Sequence, residues 1–246
     1  MLESASLSDV GSVRPNNEDF CRIFPELGLF VLADGMGGAR GGEFASRLAV
    51  DTVAELIGAA PVRDAATLLR AIEDANHRVY DKAAEQPELE GMGTTLVAAM
   101  AVNRLDHDGK AGQQIAIASV GDSRAYLFKD GALRAITEDQ TWVEEVGRPM
   151  GLDDQSLRRH PMRHVLTMAI GVSMPLSIRY YSIRLNSGDM LLLSSDGLHG
   201  VLDAGQISAI MGDSAKNLSE KCEALVEATR AAGAPDNVTV VIIRAK

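Results

Sequence analysis

Four aspartates stand at the edges of apolar runs. Asp34 closes Leu29-Phe30-Val31-Leu32-Ala33 and leads into Gly35-Met36-Gly37-Gly38, and Asp122 follows Ile115 to Val120 within Gly121-Asp122-Ser123-Arg124. Asp196 follows Met190 to Ser195 and precedes Gly197, and Asp236 lies between Pro235 and Asn237, just ahead of the β-branched run Val238 to Arg244. A single Asp-Gly pair is ordinarily a turn. Four acids in matching context suggest instead that several strands deliver carboxylates to one end of a sheet. Clustered carboxylates repel one another unless a cation or a shared proton lies between them. All-oxygen donor sets suit Mg²⁺ or Mn²⁺. The chain offers no HExxH or CxxC pattern of the kind that would hold zinc.

The elements that must position these acids can be read from periodicity. Phe20 to Phe24 and Leu29 to Ala33 read as short strands joined by a turn at Pro25 to Gly28. Ala45, Ala49, Val53 and Leu56 recur at helical spacing, as do Leu68, Ile72, Ala75, Val79 and Ala83, with Asp64 as the N-cap of the second helix. Thr94 to Val102, Gln114 to Val120, Arg124 to Lys129 and Leu133 to Thr137 read as strands, the last two joined by the hairpin signal Asp130-Gly131. From Glu138 to about Ile170 the pattern is irregular, too long for a plain connection and expected to be a functional flap. Strands follow at Tyr180 to Leu185 and Met190 to Ser194, then helices near Gln206 to Met211 and through Leu218, Cys222, Leu225 and Ala232, and a final strand at Val238 to Arg244. Runs of consecutive strands between pairs of helices give an α+β order. Two antiparallel sheets packed face to face and covered by helices outside fit it.

Composition narrows the partners. No linker-like stretch or repeat divides the 246 residues, so a single domain spanning 1–246 is expected. The net charge of −10 lacks the basic footprint that nucleic acid requires. Bound cations can invert the local field, so acidity does not exclude phosphate chemistry. Cys21 and Cys222 are far apart in apolar patterns and read as small hydrophobes. Met1 to Ser6 shows no basic segment followed by an apolar one, and the apolar run Leu96 to Val102 falls far short of a membrane helix. No membrane insertion, a cytoplasmic location and a monomer are expected.

Six motifs now stand in order: Arg14-Pro15-Asn16-Asn17-Glu18-Asp19, Ala33-Asp34-Gly35-Met36-Gly37-Gly38, Gly93-Thr94-Thr95, Val120-Gly121-Asp122-Ser123-Arg124-Ala125, Ser195-Asp196-Gly197 and Asp236-Asn237-Val238-Thr239. This set resembles the PP2C (PPM) family of Ser/Thr phosphatases, particularly its bacterial members, over about residues 8 to 244. The resemblance implies a helix-flanked antiparallel β-sandwich, the four-layer αββα arrangement. It also implies a protein serine/threonine phosphatase in which water activated by two Mn²⁺ or Mg²⁺ ions attacks phosphoserine or phosphothreonine in line. Phosphorylated proteins, and a bacterial Ser/Thr kinase as antagonist, would be the partners.

By the same resemblance, Asp34 bridges two metals, the Gly35 carbonyl binds one of them, and Asp196 and Asp236 complete the carboxylates. Asp122, with Asp196, matches a third and weaker metal position. Glu18, Asp19 and Asn237 match groups that support the ligands and orient water. Arg14 matches the phosphate clamp, since a guanidinium can hold two phosphoryl oxygens at once. Met36 stands where animal members carry His, and a thioether donates no proton. The proton for the leaving oxygen is then left open between a water and a histidine, with His160 and His164 of the 138–170 segment as candidates. His77 and His107 read as structural or solvated, and His199 has no assigned role.

Two further readings remain beside this one. A non-catalytic regulatory module on the same fold should have lost ligands, yet Asp34, Asp196 and Asp236 are all present. A phosphatase antagonising an anti-sigma switch would share the chemistry and differ only in partner.

Overall fold

The computed structural model describes residues 2–37, 41–102 and 112–246. Gly38 of the Asp34 motif and His107 lie outside the described residues. Two antiparallel sheets form the centre. One comprises β1 (Leu2–Asp9), β11 (Val238–Ala245), β10 (Met190–Ser194), β7 (Arg124–Lys129) and β8 (Ala132–Ala135), in that spatial order. The other runs β2 (Asp19–Phe24), β3 (Leu29–Met36), β5 (Leu96–Ala101), β6 (Gln113–Val120) and β9 (Arg179–Leu185), with the short β4 (Gly93–Thr94) paired to β3.

Central strands are apolar on both faces because each face is covered. Leu29, Val31 and Ala33 of β3 point to a layer formed by α1 (Gly41–Ala59) and α2 (Ala65–Glu85), while Phe30 and Leu32 point into the sandwich. On the other side Val238, Val240 and Ile242 of β11 meet α5 (Ala204–Gly212) and α6 (Leu218–Ala231), while Val241 and Ile243 face inward. The expected four-layer αββα arrangement is therefore present, with its innermost layer made of interdigitating side chains from the two sheets. The Asp64 carboxylate caps α2 by accepting from the Thr67 amide at 2.8 Å, as expected. Asp130 and Gly131 both adopt positive φ, 51° and 77°, which the twisted hairpin between β7 and β8 requires.

The sequence expectations need three corrections. The N-terminal β1 is a strand although the pattern of Leu2 to Asp9 predicts none; its few apolar residues sit at a sheet edge, and it is ordered by pairing along its whole length with β11. The expected strand Thr94 to Val102 is broken, since residues 93–94 pair with the end of β3 before β5 begins. The flap is not irregular throughout. A bridge between Thr141 and Leu166 closes it, a single π-helical turn occupies Val143–Gly147, and α3 (Asp154–Arg159) starts at an Asp153 cap. Leu157 of α3 is buried against Gly147 and Trp142, and His160 stacks on the Trp142 ring at 4.0 Å. A core this small, built on a six-residue helix, leaves little periodicity to detect.

Candidate metal centre

At one end of the sandwich β2, β4, β5, β7 and β11 begin while β3, β6 and β10 end. Asp34 lies near the end of β3, and register places Asp19, the first residue of β2, directly across from it. Asp122 occupies the turn by which the chain passes from β6 in one sheet to β7 in the other. Asp196 opens α4 (Asp196–His199) immediately after β10, and Asp236 precedes β11 by two residues. Both sheets thus supply acids to one place.

Hydrogen bonds fix these acids from behind. The Asp34 amide donates to Thr95 Oγ1 at 3.0 Å, and its carbonyl accepts from the Thr95 amide at 2.8 Å and from Thr94 Oγ1 at 2.9 Å. Ser195 Oγ donates to Asp19 Oδ2 at 2.7 Å and itself accepts from the Thr239 amide at 2.9 Å. Asn237 accepts from the Glu18 amide at 2.8 Å and donates to the carbonyls of Val10 and Asn16, both at 2.9 Å. That one side chain ties the segment carrying Arg14 and Glu18 to the start of β11. Arg14 Nη2 meets Asp236 Oδ2 at 2.7 Å. The backbone passes close here: a Cβ on Gly35 would lie 2.1 Å from the Gly42 carbonyl oxygen, and one on Gly197 would lie 1.8 Å from that of Asn237.

The electrostatics are those of an acidic cluster short of positive charge. Burial, then the charges of Asp19, Asp196, Asp122 and Asp236, push the Asp34 carboxyl well above its ordinary range. Burial raises Asp19 to about 7 against the pull of Thr239 and Ser195, with Asp196 and Asp236 adding to the rise. Asp122 is raised to about 7 by burial and by Asp196 and Asp139. Asp196 is also raised, by burial and Asp236, and lies within hydrogen-bonding reach of Asp34. Among the described residues nothing partners the buried Asp19 Oδ1.

Those features fit divalent cations. The donors are all oxygen, Asp19 is buried and the other acids are half-buried, and Arg14 offers a single guanidinium against Glu18 and five aspartates. Among the described residues no three Asp, Glu, His or Cys side chains close round one point. Cations held here would take much of their coordination from main-chain oxygen and solvent, as Mg²⁺ and Mn²⁺ accept.

The family profile described as Protein phosphatase 2C matches residues 14–232. The chain belongs to the protein phosphatase 2C family. It is 33% identical over 244 residues to the serine/threonine phosphatase stp of Listeria monocytogenes, covering 96% of this chain and 93% of that protein. The crystal structure of the Mycobacterium tuberculosis serine/threonine phosphatase PstP/Ppp superposes with a TM-score of 0.86 at 33% identity, covering 100% of this chain and 99% of that one. A structure of the catalytic domain of PstP in complex with 2 manganese ions gives a TM-score of 0.83 at 33% identity, covering 99% and 97%.

Within this phosphatase 2C chain, the structure gathers Arg14, Glu18, Asp19, Asp34, Gly35, Asp122, Asp196, Asp236 and Asn237 at one end. It separates the two flap histidines. His160 is engaged with Trp142, whereas His164 lines the cleft with Asp122 and Asp196, and its charge acts on Asp196. His77 is exposed on α2. His199 lines the same cleft, with Nδ1 3.1 Å from Ser194 Oγ; burial and Arg124 hold its pKa well below the ordinary value, so it is neutral at pH 7. The hydroxyls of Thr94, Thr95, Ser195 and Thr239 had no assigned role, although their place beside strand-end aspartates was the available signal. Gln140 was also missed. It is buried, accepts from the Gly121 amide at 2.9 Å and donates to the Ser177 carbonyl at 2.8 Å, which fastens the flap root to the Asp122 turn.

Proposed function

We infer that this chain is a metal-dependent protein phosphatase that hydrolyses phosphoserine and phosphothreonine monoesters. The observation that carries the reading is the convergence of buried and half-buried carboxylates from both sheets beside Arg14, in a chain of the protein phosphatase 2C family. Asp34, Asp196 and Asp236, with the Gly35 carbonyl, would hold two Mn²⁺ or Mg²⁺ ions, and Asp122 with Asp196 a third. When bound, such ions lower the pKa of water and neutralise phosphoryl charge during in-line displacement.

The chain's own groups do the rest. Among the described residues only Nη2 of Arg14 is engaged, by Asp236, so its other donors are available to orient phosphoryl oxygens. Asp19, held on one oxygen by Ser195, would use its second oxygen to orient water. His164, which lines the cleft, would return a proton to the departing serine or threonine oxygen. Phosphorylated proteins are the substrates, and a bacterial Ser/Thr kinase is the natural antagonist. A cytoplasmic monomer is part of this reading; no helix among the described residues is long and apolar enough to cross a membrane.

The test is direct. Purified protein should release phosphate from p-nitrophenyl phosphate with Mn²⁺, stop on addition of a chelator, and lose at least ~100-fold in kcat on Asp196→Asn. Turnover that survives both chelation and Asp196→Asn would refute the two-metal reading.

A further inference from the structure

The cleft beside the aspartates has an outer half that the hydrolytic step leaves unused. It encloses about 420 Å³ and runs from Asp122 and Asp196 to the flap, where Arg148, Arg158 and Arg163 line it. The positive charges there sort by commitment. Arg124 grips Asp139 through contacts of 2.8 and 2.7 Å, and Arg148 bridges Glu144 and Asp154. Arg158 and Arg163 are exposed and stand in no ion pair among the described residues; Arg163 only reaches the His160 carbonyl, at 3.5 Å. The backbone of Arg158 is anchored, because Leu157 is buried and Asp153 caps α3, and the Arg163 amide donates to the His160 carbonyl at 3.1 Å. In a chain of net charge −10, these two uncommitted guanidiniums line the same cleft as Asp122 and Asp196, where Glu144 and Asp154 are already held by Arg148, and Asp139 by Arg124.

We propose that Arg158 and Arg163 form a subsite for an anionic side chain of the substrate polypeptide, close in sequence to the phosphorylated residue that the aspartate centre binds. The proposal rests on the phosphatase reading above. A guanidinium pairs with a carboxylate or a second phosphate through parallel hydrogen bonds, so either anion satisfies the chemistry. Arg159 provides the internal control: it is the next residue on the same helix and equally exposed, but it does not line the cleft.

The experiment is a set of phosphothreonine peptides carrying Asp, a second phosphothreonine, Ala or Lys at each flanking position, assayed for kcat/KM with Mn²⁺. At one or two positions Asp should exceed Ala about fivefold, and phosphothreonine should exceed Asp, in keeping with partly exposed charge pairs. Arg158→Ala/Arg163→Ala should bring these ratios to about one, Arg159→Ala should preserve them, and Arg158→Glu/Arg163→Glu should turn the preference toward Lys. Equal rates on all peptides, or an acidic preference that survives the double alanine variant, overturns the proposal alone. Absence of turnover on every peptide and on p-nitrophenyl phosphate overturns the phosphatase reading, and the proposal with it.

Discussion

Asn237→Ala should damage the centre without touching a ligand. The side chain is 5% exposed and makes three hydrogen bonds, to the Glu18 amide and to the Val10 and Asn16 carbonyls. Each such bond contributes about 1 kcal/mol net, so their joint loss should cost about 3 kcal/mol. For a domain of this size that lowers Tm by roughly 6–12 °C. Arg14 lies inside the loosened segment, and a less constrained clamp should reduce kcat/KM on p-nitrophenyl phosphate about tenfold. Arg230→Ala is the comparison. It breaks the exposed Asp9–Arg230 pair of 3.2 Å near the same segment and should cost under ~1 kcal/mol with little change in rate. Calorimetry and steady-state kinetics on both variants decide the matter. If Asn237→Ala unfolds within ~2 °C of the parent, or is destabilised with kcat/KM unchanged, the tether does not hold the clamp.

Two further outcomes follow from the electrostatics and the cleft. In metal-free protein the raised carboxyls of Asp34, Asp19, Asp122 and Asp196 keep protons that the unfolded chain gives up near its ordinary pKa of about 4. Their contribution to stability is thus complete below about pH 4 and is lost as pH rises through about 7. Thermal unfolding in chelator should give a lower Tm at pH 8 than at pH 5, and Mn²⁺ should raise Tm more at pH 8; a chelated protein that gains stability from pH 5 to 8 contradicts the charge assignment. His164→Gln should lower kcat on a phosphoserine peptide about 100-fold while p-nitrophenyl phosphate, whose leaving group needs no proton, changes far less. Equal losses on both substrates would remove His164 from the proton-transfer role.

How much was legible in the sequence depended on how local the signal was. Asp34, Asp122, Asp196 and Asp236 could be singled out because an acid at the end of an apolar run shows in adjacent residues. The pairing of Asp19 with Asp34 could not, because register between β2 and β3 is a tertiary fact. The same holds for Ser195, which reaches Asp19 across 176 positions of chain, and for the choice between His160 and His164, which rests on one ring stacking on Trp142. Strand β1 escaped because Leu2-Glu3-Ser4-Ala5-Ser6 lacks the apolar content of a two-faced strand, and its order comes from β11.

The division of the aspartates between sheets has a mechanical consequence. Within a sheet the ladder of hydrogen bonds fixes neighbouring strands to each other, but the offset of one sheet against the other is set by interlocking side chains such as Phe30, Val97, Leu127 and Leu193, and at the acidic end by the Ser195–Asp19 and Asn237–Glu18 bonds. Asp34 rides on one plate and Asp196 and Asp236 on the other. The centre therefore acts as a vernier between them. A substitution deep in that interior, remote from every acid, can slide one scale along the other and detune cation affinity while the protein still melts as a single unit.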